Sequence, residues 1–257
     1  MASPPARQQQ PRGSPVVAVG ARGYRGGVAG APRSPARPRL PPSLAPADPA
    51  EHDLGDEATL RRLAVELDLA GRSAESVELD QCRFSDADLS GSSLHRAGVR
   101  DCRFTGTNLA NLRAEQSSML RTELTGSRLT GLHWLDGTLR EVLVGDCRAD
   151  LSVFRFTRFH RVRFERCNLT RADFQNADLG GAQFVACDLT GAQFSFARMH
   201  GTRFEGCALT DLGGMRSFDG AIIDPADLMQ LSYAMAAALG IQLAGPEPAT
   251  AGDGRCR

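Results

Sequence analysis

The chain has 257 residues, 42% of them hydrophobic and 23% charged, and its 30 basic and 30 acidic side chains cancel to a formal charge of zero. That balance argues against the field of a polycation built to hold nucleic acid directly, or of a polyanion built to imitate it. Every basic side chain is Arg and none is Lys, a usage that suggests GC-rich coding of the kind found in actinobacteria.

In chain order, residues 1–47 hold seven Arg, no acid and 10 of the 14 Pro. A segment of that composition cannot bury a core, so residues 1–50 are expected to be a disordered Pro/Arg-rich tail. Two readings of it stay open: a basic arm for nucleic acid or anionic lipid, or a segment without a role, either a solvated extension or the product of a misassigned upstream start. The one apolar stretch near the start, Val16 to Gly20, is too short for a secretory signal and is soon interrupted by Arg22 and Arg25, so a cytoplasmic location is expected. Over residues 51–76, Asp56 is placed to cap a helix carrying Leu60, Leu63 and Leu67 on one face, an N-terminal helical cap.

From Leu79 to Leu209 an apolar residue returns every fifth position without a slip, 27 times in all, 11 of them Leu and 9 Phe. Two residues before each centre the side chain is small in 22 of the 27 units. Period five excludes a helix, because five steps of about 100° smear the apolar positions around the axis. It also excludes a straight strand, since five is odd and the next unit would point outward unless the backbone turned a corner. A chain that turns once per five residues, always inward, winds into a solenoid over residues 77–213. Like residues recur at steps of 20, as in Cys147, Cys167, Cys187 and Cys207 or Phe154, Phe174 and Phe194. Four units therefore make one coil, and under seven coils stack to about 30 Å.

Units such as Ala172-Asp173-Phe174-Gln175-Asn176 and Cys187-Asp188-Leu189-Thr190-Gly191 resemble the pentapeptide-repeat family. The resemblance implies an all-β solenoid, a right-handed quadrilateral β-helix with the small residue and the centre inside. Short capping helices at both ends complete the expectation. Some members protect DNA gyrase from quinolones by imitating the shape and charge of duplex DNA, which sets one functional alternative. Six of the seven Cys occupy the inward small position, where vertical neighbours about 4.8 Å apart do not suit a disulfide. They are expected to be free thiols, and Cys256 lies alone near the end.

Residues 214–243 are expected to form a C-terminal helix cap. Asp224 is placed as N-cap, Pro225 as the first helical residue, and Leu228, Leu231, Met235, Ala238 and Leu239 as the core face. A second strip, Met229, Tyr233 and Ala236, is open to two readings, partial exposure on a monomer or a homodimer through the C-terminal helix. Residues 244–257 read as a flexible tail.

Wrapped at 20 residues per coil, residues 82–211 carry Arg against acid in the ratios 5:5, 3:4, 3:3 and 6:3 on four faces, starting with the face of Phe84. None is acidic by more than a single charge, the opposite of what imitation of a phosphate backbone demands. The most basic face, that of Val99, carries Arg100, Arg121, Arg140, Arg158, Arg161 and Arg198, but Asp101, Arg121, Glu141 and Arg161 alternate in one column and can pair. Leu132 beside Trp134 is large for its slot, so a local bulge with Leu135 outside is expected, relieved by Gly137. His160 and His200 stand two coils apart, about 10 Å, too far to chelate one ion. The sequence thus leads to a non-enzymatic scaffold for an unknown protein partner, with no cofactor and no metal. Its candidate surface is Arg121, Arg140, Arg158, Arg161, Leu135, Met229 and Tyr233.

Overall fold

The structure, a computed structural model, describes residues 33–242. Their organisation follows from one backbone event repeated at every corner. From Ser76 to Asp211, each non-glycine residue with positive φ stands two positions after an apolar centre, for example Gln81 at 56°, Asp101 at 51° and Asn176 at 59°. The left-handed conformation turns the chain there and lets the next odd-numbered step point inward again. The strain is offset by the ladder, since most corner N–H groups donate to the coil above, as Asp101 does to the carbonyl of Leu120 at 2.9 Å.

The coils stack as parallel strands in steps of 20, with Ser118 beside Thr138 and Thr138 beside Arg158. We name the four faces after the centres Val99, Phe84, Leu89 and Leu94. The Asp that precedes many centres shapes the backbone, because the carboxylates of Asp88, Asp173 and Asp188 accept the N–H two residues on, at 2.7–3.0 Å. This Asx turn sets up the corner.

Inside, the Phe columns stack at coil spacing. Phe154, Phe174 and Phe194 follow one another at 5.2 Å between ring centroids, and Phe164, Phe184 and Phe204 at 5.2 and 5.1 Å. The two columns meet edge-on, and burying each ring contributes about 2–3 kcal/mol. The six inward Cys are free and buried. Cys102 and Cys167 each donate Sγ–H to a carbonyl of the coil below, at 3.4 and 3.3 Å. Neighbouring thiols in the column and burial together push Cys102, Cys147 and Cys187 above the ordinary thiol range.

The expected bulge at Leu132 and Trp134 is absent: His133–Leu135 keeps its register against Arg113–Glu115. Gly137 supplies the room, because a Cβ there would lie 2.4 Å from Trp134 Nε1. The indole N–H is left buried without a hydrogen-bond partner among the described residues.

Both ends differ from the sequence expectation. Residues 51–76 form no helix; Thr59–Arg61 and Leu63–Val65 are strands of the solenoid. Leu60 pairs with Leu79 and Val65 with Phe84, 19 residues apart, whereas Asp68 pairs with Asp88, 20 apart. One residue is missing between Val65 and Asp68, which hides this coil from a count in fives. An unpaired coil edge offers these residues ladder hydrogen bonds that a helix lying across it would leave unmade. Asp56 accepts the N–H of Glu75 at 2.8 Å rather than capping a helix.

At the far end the segment after Leu212 closes the stack. Phe218 lies on Phe204 at 5.6 Å, and Ile222–Ile223 adds a last strand beside Arg203–Phe204. The helix α1 spans only Leu228–Ala238 within the expected 214–243. Its N-cap is Asp227 rather than Asp224, and Asp227 and Gln230 accept the N–H groups of Cys207 and Leu209 at 3.0 and 3.1 Å. Of the expected core face only Leu231 is buried; Leu228, Met235 and Leu239 are exposed. Phe218 and Ile223 already occupy the place over the last coil that those side chains were to fill. The expected flexible tail, 244–257, lies outside the described residues.

Candidate interaction surface

The four expected arginines sit on or at the edge of the Val99 face, but in two different states. Arg121 and Arg161 belong to the corner column Gln81, Asp101, Arg121, Glu141, Arg161, and their charges are already paired. Arg121 binds Asp101 through two hydrogen bonds, Nε to Oδ1 at 2.7 Å and Nη2 to Oδ2 at 2.6 Å, and Arg161 binds Glu141 at 2.5 Å. Arg140 and Arg158 are exposed and make no ion pair among the described residues. Leu135 is half-buried on the neighbouring Leu94 face, beside Glu115. Met229 and Tyr233, 74% and 66% exposed, project from α1 at the far end. The seven residues therefore do not form one patch.

The paired column is also covered. Residues 33–50, expected to be disordered, run along this corner against the direction in which the solenoid grows; residues 1–32 of the expected tail lie outside the described residues. Arg33 O accepts from Gln183 Nε2 at 3.4 Å, Ala36 N–H donates to Glu141 at 2.8 Å and Arg39 N–H to Asp101 at 3.0 Å. Gln81 Nε2 then donates to Arg39 O at 3.0 Å, and Ala45–Pro46 pairs as a strand with Leu63–Ala64. Burial alone would raise the Asp101 carboxyl. The Arg121 guanidinium and the Arg39 N–H, helped by both Arg charges, hold it below the usual carboxylate range.

Among the described residues nothing covers the opposite edge of the Val99 face. Its corner column runs Asp136, Phe156, Asn176, Phe196. Phe156 is 58% and Phe196 81% exposed, both in the left-handed conformation at φ 58° and 61°. Neither ring contributes to the core, and the conformation disfavours a bulky side chain, so folding gains nothing from an aromatic at either place. Between them is a shallow cavity of about 370 Å³ lined by Phe156, Arg158, Asn176, Asp178, Phe196 and Arg198. Arg158 is the one expected residue that the structure joins to it. The two rings were missed because they occupy the corner position, which the five-residue rule leaves free; bulky apolar residues at such corners were the available signal.

Among the described residues no group of three or more His, Cys, Asp or Glu is placed to hold a metal ion. No helix there is long and apolar enough to cross a membrane.

Residues 73–106, 139–176 and 167–206 match the family model for pentapeptide repeats, in 8 copies. No curated protein matches the chain. Solved structures similar to it include full-length QnrB1, a plasmid-mediated fluoroquinolone resistance protein, at 19% identity. That match covers 69% of this chain and 99% of the other, with a TM-score of 0.27. HetL, involved in heterocyst differentiation regulation in the cyanobacterium Nostoc sp. strain PCC 7120, is similar at 16% identity, covering 67% and 88%, also with a TM-score of 0.27.

Proposed function

Because the chain belongs to the pentapeptide-repeat family, we propose that it is a non-enzymatic scaffold whose solenoid displays side chains to a protein partner. The observation that carries this reading is the pair of exposed rings, Phe156 and Phe196, held two coils apart beside Arg158. Aromatic residues and Arg are the types that dominate protein interfaces, and rings that strain the fold without filling its core have their use outside it. Two coils separate the rings by about 10 Å, a rigid spacing that a partner can read with two pockets.

The alternative, binding of DNA gyrase or another topoisomerase by imitation of DNA, requires a continuous acidic surface. The corner column pairs its acids with Arg121 and Arg161, which leaves no such stripe there. A gyrase supercoiling assay with and without quinolone separates the two readings. The scaffold reading predicts no inhibition and no drug protection up to tens of micromolar protein; either effect at low micromolar protein replaces it with the alternative.

Self-association belongs to the same reading. Leu228, Met229, Tyr233, Leu239 and Ile241 are all more than half exposed around one short helix, and a second copy would cover them as a homodimer through α1. Sedimentation equilibrium on the full chain should show a dimer that Met229→Glu with Tyr233→Glu converts to monomer; a monomeric wild type contradicts this.

A further inference from the structure

The segment that covers the acidic corner is not an arbitrary coil. Its half-buried residues include Pro35, Pro38, Pro41, Leu44 and Ala47, one in every three, while the positions between are exposed except Leu40. Three residues per turn is the period of polyproline II, whose left-handed helix keeps its own amides free for outside acceptors. The ladder beneath supplies them in matching register. Ala36 and Arg39, each just after an inward Pro, donate to Glu141 and Asp101. Three residues of polyproline II advance about 9.3 Å, and the two coils between those carboxylates rise about 9.6 Å. One turn of the strap therefore meets every second coil of the solenoid.

We propose that this corner is a recognition groove for polyproline-II segments, held in the isolated chain by its own residues 33–47. A protein partner with proline at every third residue enters by displacing that strap. The inference deepens the scaffold reading by giving one partner a chemical class. The inward prolines are only half-buried, and between the anchors at its ends, Arg33 O and the Ala45–Pro46 strand, two backbone N–H groups and one carbonyl hold the segment to the solenoid. A small cavity of about 240 Å³ remains between Pro35 and Pro38 and the floor residues Thr122, Glu123, Leu143 and Arg163. An element held by so few bonds opens more easily than the coil ladder. The basic residue beside Asp101, Arg39 in the resident strap, adds a charge preference to the proline spacing.

The tether gives the resident strap a high effective concentration, so the test weakens it inside the full-length chain with Pro35→Gly, Pro38→Gly and Pro41→Gly. The probe is a labelled synthetic peptide with the sequence of residues 33–47, titrated by fluorescence anisotropy. We expect saturable binding at least tenfold tighter to the triple variant than to the wild type. Adding Asp101→Asn and Glu141→Gln should weaken it tenfold, and a peptide with its prolines moved off the three-residue spacing should not bind. Absent binding to a triple variant whose circular dichroism and thermal unfolding match the wild type overturns the proposal. Hydrogen exchange on the unmodified chain gives a readout independent of any variant. The amides of Ala36 and Arg39 should exchange at least a hundredfold faster than that of Phe174, and equal protection would show that the strap never leaves. Peptide binding together with gyrase inhibition would keep the groove and sink the scaffold role, so the two failures are distinguishable.

Discussion

The two corners that flank the Val99 face share their backbone turn, their coil spacing and their core, yet among the described residues one is covered and the other bare. Along the column of Asp101 and Glu141 the side chains alternate in charge, pair with Arg121 and Arg161, and keep acceptor oxygens for a strap. Along the column of Phe156 and Phe196 two rings stand out from the surface. The difference lies wholly in the outward residues. The inward ones fix the solenoid, and the corner positions are left to carry recognition, by alternating charges in one column and by two exposed rings among polar residues in the other.

Removing what the corners share should have the largest effect. Phe174→Ala leaves a cavity in the stacked rings and should cost about 3–5 kcal/mol, read as a lower thermal midpoint, with both corners loosened alike. A smaller change should break the covered corner alone. Asp101→Ala leaves the Arg121 guanidinium and the Arg39 amide without their acceptor, and we expect a loss of about 1–3 kcal/mol. Exchange of the strap amides should quicken while that of Phe174 is unchanged. Acid should do the same reversibly. The Asp101 carboxyl lies below its unfolded value, so its contribution is complete above that value, about 3.9, and is lost as pH falls through the lower folded one. Strap protection that vanished between pH 6 and 7 instead would assign it to another group. Smallest of all, Phe156→Ser with Phe196→Ser should change stability by no more than about 0.5 kcal/mol, because neither ring packs in the core.

Much of this architecture was legible in the residues. The run of apolar centres from Leu79 to Leu209, the small residue two before each, and the recurrence at 20 led to coils of four units, and the buried columns follow them. The first coil stayed hidden because one missing residue between Val65 and Asp68 shifts Leu60 and Val65 out of step. The strap was hidden by composition: a Pro/Arg-rich segment cannot bury a core of its own, but it can borrow a surface. Its Pro35, Pro38 and Pro41 spacing was the signal. Of the surface, Arg158 was within reach because it stands on the most basic face, whereas Phe156 and Phe196 occupy positions that the repeat rule does not constrain. Arg121 and Arg161 alternate with acids at steps of 20 in the sequence, and the structure pairs them under the strap.

Affinity capture from cells expressing the full chain, compared with the chain carrying Phe156→Ser and Phe196→Ser, tests the scaffold claim most directly. The account predicts at least one protein held saturably by the wild type and reduced tenfold or more by the variant, whose unfolding midpoint stays the same. The same proteins held equally by both chains, or none above the bead control, would contradict it.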